Sequence, residues 1–213
     1  MYARALTADA ELRPLDPGRA EEFLRNLDRC RDHISPWVGA SFVAVDLPSA
    51  REVLRRYAER WARDGGGLWG IWLDATLVGG VMFVSFDVVS GSCEVGCWVE
   101  PTAQGRGLVT RAVGLIVDWA VRGRGIHRVE WRTNADNARS IAVARRLGMR
   151  LDGTLRQVYR GPGERMDLQI WSVLAPEWRN PAPTGERVAV GGDATGPVGE
   201  PAPTTGGPGE DDG

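Results

Sequence analysis

The sequence predicts a mixed α/β domain over residues 1–179: a mostly antiparallel sheet with one central parallel βαβ unit, flanked by helices. Three observations carry this. Between Ala10 and Leu174 the apolar pattern switches repeatedly between strand-like runs and helical spacing. From Cys93 to Thr133 a strand, a loop, a helix and a strand follow within about 40 residues, the span of a βαβ unit with parallel strands and a ligand site at the strand ends. At Asn180 the composition changes to Pro, Gly, Thr and acid with almost nothing large enough to pack, so 180–213 is expected to be a disordered tail.

The elements follow in order. Ala10 to Leu15 reads as a short strand; Asp16-Pro17 then opens a helix that points Phe23, Leu24 and Leu27 to a core and stops at Ser35-Pro36, before Trp37. Ser49, with Glu52 three residues later, reads as the capping box of a second helix through Val53, Leu54, Tyr57 and Trp61, ended by Asp64-Gly65-Gly66-Gly67. Leu68 to Leu73 and Leu77 to Phe86, joined by Asp74-Ala75-Thr76, form a hairpin, and Cys93 to Val99 a third strand after the Ser90-Gly91 turn. Pro101 blocks further pairing. A helix from Leu108 to Arg122 leads to a strand from His127 to Thr133. Asn137 to Leu147 is a short helix ended by Gly148, and Leu151 to Tyr159 with Met166 to Leu174 is a closing antiparallel pair around Gly161-Pro162-Gly163.

The whole chain narrows the function. With 213 residues, 43% hydrophobic and 25% charged, it is long enough for one sizeable core. All 26 basic residues are Arg, and a net charge of −2 leaves no concentrated basic face for duplex nucleic acid. No apolar run approaches the roughly 18 residues of a membrane span, and no targeting segment opens the chain, so a soluble cytoplasmic protein is expected. Cys30, Cys93 and Cys97 have no metal-ligand spacing with His33 and His127, the two histidines, so no metal is expected. Cys93 and Cys97 on one strand would lie about 13 Å apart, beyond disulfide reach.

The most informative stretch runs from Trp98 to Thr110, WVEPTAQGRGLVT, a strand leading through a tight loop into a helix start. A helix start has N–H groups without partners and a partial positive charge, so the backbone from Gly105 to Thr110 can hold a pyrophosphate, and Gly105 and Gly107 let it approach. Read alone, Gly-x-Gly is equally a simple turn. The glycine spacing and the missing Lys exclude a dinucleotide fingerprint and a P-loop.

What the loop resembles is the acyl-CoA loop of the GNAT acetyltransferases: Gln or Arg, two residues, Gly, one residue, then Gly or Ala. Gln104 and Gly107 fit, and Val109 departs from the pattern. CEVGCWVEP resembles the family's fourth strand, which lies along the pantetheine arm, and NADNARSIAVARRLGM the segment that places Asn and Ser at a helix start. Asp32 to Trp37 is similar to the branch that acetylates ribosomal proteins at their N-termini. The likeness spans roughly residues 10–178.

The resemblance implies a GNAT fold, acetyl-CoA as acyl donor bound by Trp98, Val99, Gln104, Gly105, Arg106, Gly107, Leu108, Val109, Thr110 and Asn137, and an amine acceptor. It implies that Trp98 or Val99 N–H polarises the thioester carbonyl, that Asn137 anchors CoA and that Ser140 protonates its sulfur. Asn137 is equally an N-cap and Ser140 a first-turn hydroxyl. Where the branch has a Glu as base, this chain has Tyr159; Glu94 and Asp167 are the substitutes, Glu94 preferred because alternation puts Glu94, Gly96 and Trp98 on one face. Glu94 is equally a solvated or paired carboxylate.

A weak base favours an α-amine. At a pKa of about 8 it is partly neutral at cellular pH, whereas Lys at about 10.4 is neutral in roughly one molecule per thousand. The expected acceptor is therefore a protein or peptide N-terminus, with a small-molecule amine such as an antibiotic as the alternative and a non-catalytic acyl-CoA-binding module or an Arg-rich RNA-binding domain as further rivals. Arg139, Arg145, Arg146 and Arg150 are candidates for the adenosine phosphate or a solvated face. Trp37 and Trp98 are candidate walls of the acceptor pocket, and an uncovered edge strand leaves room for a homodimer.

Overall fold

The computed structural model describes residues 3–39, 42–160 and 165–179. Its eight strands are β1 (Arg4–Ala5), β2 (Ala10–Pro14), β3 (Leu68–Leu73), β4 (Thr76–Asp87), β5 (Ser92–Val99), β6 (Arg128–Asn134), β7 (Arg150–Arg160) and β8 (Arg165–Leu174). Its helices are α1 (Ala20–Ile34), α2 (Leu47–Ala62), α3 (Leu108–Asp118), α4 (Ala138–Arg146) and α5 (Ala175–Arg179). The strands form one sheet in the order β1-β2-β3-β4-β5-β6-β8-β7. β5 and β6 run parallel and every other neighbouring pair is antiparallel. This is the expected mixed sheet with α3 as the crossover.

Strand alternation sorts the apolar side chains into two cores on opposite faces. Phe23, Leu27 and Ile34 of α1 and Val53 and Leu54 of α2 cover Leu68, Trp72, Leu77, Met82 and Trp98. Ala112, Val113, Ile116 and Val117 of α3 and Ala144 of α4 cover Ile71, Val81, Phe83, Val95, Val129 and Trp131. Along β5, Cys93, Val95, Cys97 and Val99 face α3, and Trp98 faces α1.

Several local expectations are corrected. α2 starts at Leu47, a little before Ser49, because Asp46 is the cap: its carboxylate accepts the Ser49 N–H at 2.8 Å and Ser49 Oγ accepts the Asp46 N–H at 3.1 Å. Glu52 instead accepts from Arg55 at 2.8 Å. α3 ends at Asp118 and continues as a π turn from Trp119 to Gly123. That wider turn carries Trp119 into a ring cluster with Trp61, Trp69, Phe83 and Phe86. β1 and α5 were not legible, being too short for any period to register. The Gly161-Pro162-Gly163 turn and the tail expected over 180–213 lie outside the described residues. No helix among the described residues is long and apolar enough to cross a membrane.

The feature that positions the site is a failure of pairing. β5 and β6 are in register from Ser92↔Arg128 to Val95↔Trp131, and there the ladder stops. β5 continues to Val99 beside β4, and β6 to Asn134 beside β8. A gap therefore opens between two central strands, with Trp131 at its vertex and the loop into α3 at its open end.

Candidate active site

An unpaired strand edge inside a sheet has donors to give. The Glu100 N–H bonds Val78 O at 2.9 Å, which fixes the parity of β5 against β4. Alternation then directs the Trp98 and Gly96 N–H groups to β4 and those of Cys97 and Val99 into the gap. Of the two backbone donors expected from sequence, the Val99 N–H faces the gap, whereas the Trp98 N–H is turned to the ladder with β4; the Cys97 N–H faces the gap beside Val99. The side chain of Trp98 lies in the α1 core, where Nε1 donates to Asn26 Oδ1 at 2.7 Å.

At the open end, Gly105 (φ 76°) and Gly107 (φ 73°) both occupy the left-handed region, which a side chain disfavours whatever the space around it. Gly107 caps α3 with no side-chain hydrogen bond. The first α3 donor to find a carbonyl is Arg111 N–H, on Gly107 O at 3.1 Å. Among the described residues, the N–H groups from Gly105 to Thr110 have no protein acceptor. Six consecutive donors at a helix start are thus left without a partner among the described residues.

The side chains of the loop are committed elsewhere. Gln104 Nε2 is 2.6 Å from His33 Nε2 on α1, and Arg106 pairs with Asp9 Oδ2 at 2.6 Å. Leu108 is buried, and Val109 and Thr110 are half-buried. Val109 packs against the α3 core, so the larger residue at the departing position is absorbed by packing instead of pointing outward. Arg111 lies one helical turn beyond Gly107, exposed, with its guanidinium turned back toward the loop. Sequence reasoning passed over it; its i+4 spacing from Gly107 was the available signal.

A buried polar network holds this loop against α1. Asn26 Nδ2 and Arg29 Nε donate to Glu100 Oε2 at 3.1 and 2.9 Å, Thr102 donates to Oε1 at 2.8 Å, and Arg29 also reaches Leu77 O at 2.6 Å. Asn26, fully buried, is a polar residue inside the apolar stripe of α1, a pattern the sequence displays. Glu100→Ala leaves several of these donors without an acceptor, and a loss of about 2–3 kcal/mol in a urea melt is expected.

Asn137 is the N-cap of α4, accepting the Ser140 N–H on Oδ1 at 3.0 Å. Its Nδ2 has no partner among the described residues and remains available. Ser140 Oγ is met by the indole Nε1 of Trp131 at 2.9 Å. Glu94 lies on the opposite face of the sheet, half-buried, 3.5 Å from Arg132. Burial raises its carboxyl above the usual 4.5, Arg132 works against this and Glu130 with it. The structure thus sets Ser140 and Glu94 on opposite faces close to the vertex.

The other candidates have surroundings of their own. The Asp167 carboxylate accepts the Gln157 N–H at 2.8 Å and pins the bulge of β7. Tyr159 lies in β7, but its side chain is outside what the structure describes. Arg145 lies over the Trp171 ring, and Arg150 is 3.4 Å from Glu177. Arg122, Arg124 and Arg128 are paired with Asp118, Asp64 and Glu130. Trp37 is 41% exposed. Burial pushes the Cys97 thiol up to about 12, so it offers no thiolate to take an acyl group near neutral pH.

Comparison with known proteins agrees with the fold. Residues 10–150 match the family model described as acetyltransferase (GNAT) domain. YdaF of Bacillus subtilis, provisionally named a ribosomal N-acetyltransferase, is 25% identical over 182 residues, 84% of this chain and 98% of its own. The ribosomal-protein-serine acetyltransferase of Escherichia coli is 26% identical over 87 residues, 41% of this chain and 49% of its own. Among solved structures, RimL, a ribosomal L7/L12 α-N-protein acetyltransferase in complex with coenzyme A, superposes with a TM-score of 0.75 at 20% identity, covering 81% of this chain and 97% of that one. The microcin C7 self-immunity acetyltransferase MccE, in complex with acetyl-CoA and AMP, gives 0.71 at 22% identity, covering 79% and 93%.

Proposed function

The chain belongs to the GNAT acetyltransferase family and is an acyl-CoA-dependent N-acetyltransferase, and from that premise we propose that it acetylates the N-terminal α-amine of a protein or peptide. The observation that carries the donor site is the row of six free N–H groups from Gly105 to Thr110 at the open end of the β5/β6 gap. These donors hold the pyrophosphate of acetyl-CoA, with Arg111 above them and Asn137 Nδ2 nearer the vertex. Gln104 and Arg106 shape the loop through His33 and Asp9.

The pantetheine arm then lies along β5, and the thioester oxygen receives the N–H of Cys97 or Val99, donors already aimed at the gap with no reorganisation to undergo. Ser140 protonates the leaving sulfur from the α4 side, and the amine approaches from the α1 side past Glu94, with Trp37 bordering its path. Placing acid and base on opposite faces separates the proton given to sulfur from the proton taken from nitrogen.

The acceptor assignment is supported by the names of the relatives and by the base. Glu94 is a single carboxylate whose pKa burial raises and Arg132 lowers, and even a raised carboxylate is a weak base, suited to an amine that is already partly neutral. A raised pKa means that the proton-accepting carboxylate is fully present only above that value. The acid limb of kcat/KM is therefore expected above pH 4.5, and Glu94→Gln is expected to remove the limb and lower the plateau about tenfold, as a pH–rate profile will report.

The direct test is thiol release from acetyl-CoA with N-terminal peptides, ribosomal proteins and amine antibiotics as acceptors, alongside titration of CoA binding. Turnover on a free N-terminus is the expected result. Turnover on small amines alone moves the acceptor to the antibiotic class, and CoA binding without turnover on any acceptor makes the chain a binding module.

A further inference from the structure

Trp131 occupies the vertex itself, paired with Val95 where the parallel ladder ends and with Trp171 on its other side. Its ring is buried in the core beneath α3 and α4 at 3% exposure, and its one polar atom donates to Ser140 Oγ at 2.9 Å. A first-turn serine hydroxyl commonly turns back to a nearby backbone group; here its oxygen accepts from Trp131, and its hydrogen has no carbonyl to bond among the described residues. The Ser140 backbone is fixed as well, its N–H held by Asn137. Of the donor and two lone pairs of that hydroxyl, one lone pair is filled and the hydrogen is free.

We infer that Trp131 is a positioning residue for proton donation by Ser140, its indole N–H fixing Oγ so that the hydroxyl hydrogen points into the gap between β5 and β6. This rests on the reading of Ser140 given above. In the transfer, the acceptor nitrogen bonds to the thioester carbonyl carbon, the C–S bond breaks with its electron pair going to sulfur, and sulfur takes the Ser140 proton. The proton shed by nitrogen leaves through Glu94 to water, and water returns one to Ser140, so none is gained or lost. As the serine oxygen gives up its proton, negative charge grows on the atom that the indole N–H already faces.

The test uses the full chain with Trp131→Phe, Ser140→Ala and the double variant. Trp131→Phe keeps most of the ring volume and removes the N–H. A fall of about tenfold in kcat is expected, with the KM for acetyl-CoA within about twofold, and the double variant is expected to be no slower than Ser140→Ala alone. A packing role predicts instead that the Trp131→Phe loss persists in the Ser140→Ala background, and that result, or an unchanged kcat in Trp131→Phe, overturns the inference. Should Trp131→Phe not fold, the indole N–H resonances of the nine tryptophans are followed in Ser140→Ala by 15N spectroscopy: one is expected to shift and lose exchange protection, and no response overturns the inference. Full turnover by Ser140→Ala removes the underlying role of Ser140 and the inference with it, which separates that failure from one confined to Trp131.

Discussion

Gly107→Asp is expected to weaken binding of CoA and acetyl-CoA at least about 100-fold, measured by isothermal titration. Two costs add. Gly107 sits at φ 73°, and a residue with a Cβ pays roughly 1–2 kcal/mol to stay there. The new carboxylate also stands at the cap of α3, where the pyrophosphate is to bind, and like charges repel in place of the six N–H groups' attraction. Together about 3 kcal/mol or more is at stake, and each 1.4 kcal/mol is tenfold. Arg106→Ala is the contrast: its guanidinium is held by Asp9 in a half-exposed pair, so binding is expected to change by less than about threefold. If both substitutions act alike, the loop binds through side chains and the backbone account fails.

Ser140→Ala is expected to lower kcat about 100-fold while leaving the KM for acetyl-CoA within about threefold, the loss typical of removing one general acid. The structure makes this substitution clean. Asn137 caps α4 through the backbone N–H of Ser140, which alanine retains, so the helix start keeps its hydrogen bond. Only the hydroxyl and its bond from Trp131 are lost. Steady-state kinetics with a peptide acceptor decide the matter, and full turnover strikes Ser140 from the mechanism.

Much of this was legible because the relevant signals are local. Alternation placed Glu94 and Trp98 on one face, the Gly-x-Gly loop marked a helix start, and Asn137 with Ser140 one turn later marked another. What escaped depends on long-range geometry. Which N–H groups of β5 face the gap follows from the parity of its pairing with β4, and one residue of shift exchanges Trp98 for Cys97. The contacts of Gln104 with His33 and of Arg106 with Asp9 join residues 71 and 97 positions apart. Trp131 reads in sequence as one more core tryptophan, which it is; only the structure reveals where its N–H ends. The start of α2 was misplaced for a local reason, because Asp46 and Ser49 form a reciprocal cap that outcompetes the Ser49–Glu52 pattern.

The central claim is tested most directly by competition. The chain is incubated with acetyl-CoA and equal amounts of two peptides, one with a free N-terminus and no lysine, the other with a blocked N-terminus and one lysine, and the products are resolved by mass spectrometry while thiol release is followed. The account predicts acetylation of the free N-terminus well ahead of the lysine, with one thiol released per acetyl group transferred. Faster acetylation of the lysine side chain, or acetyl groups on neither peptide, contradicts it.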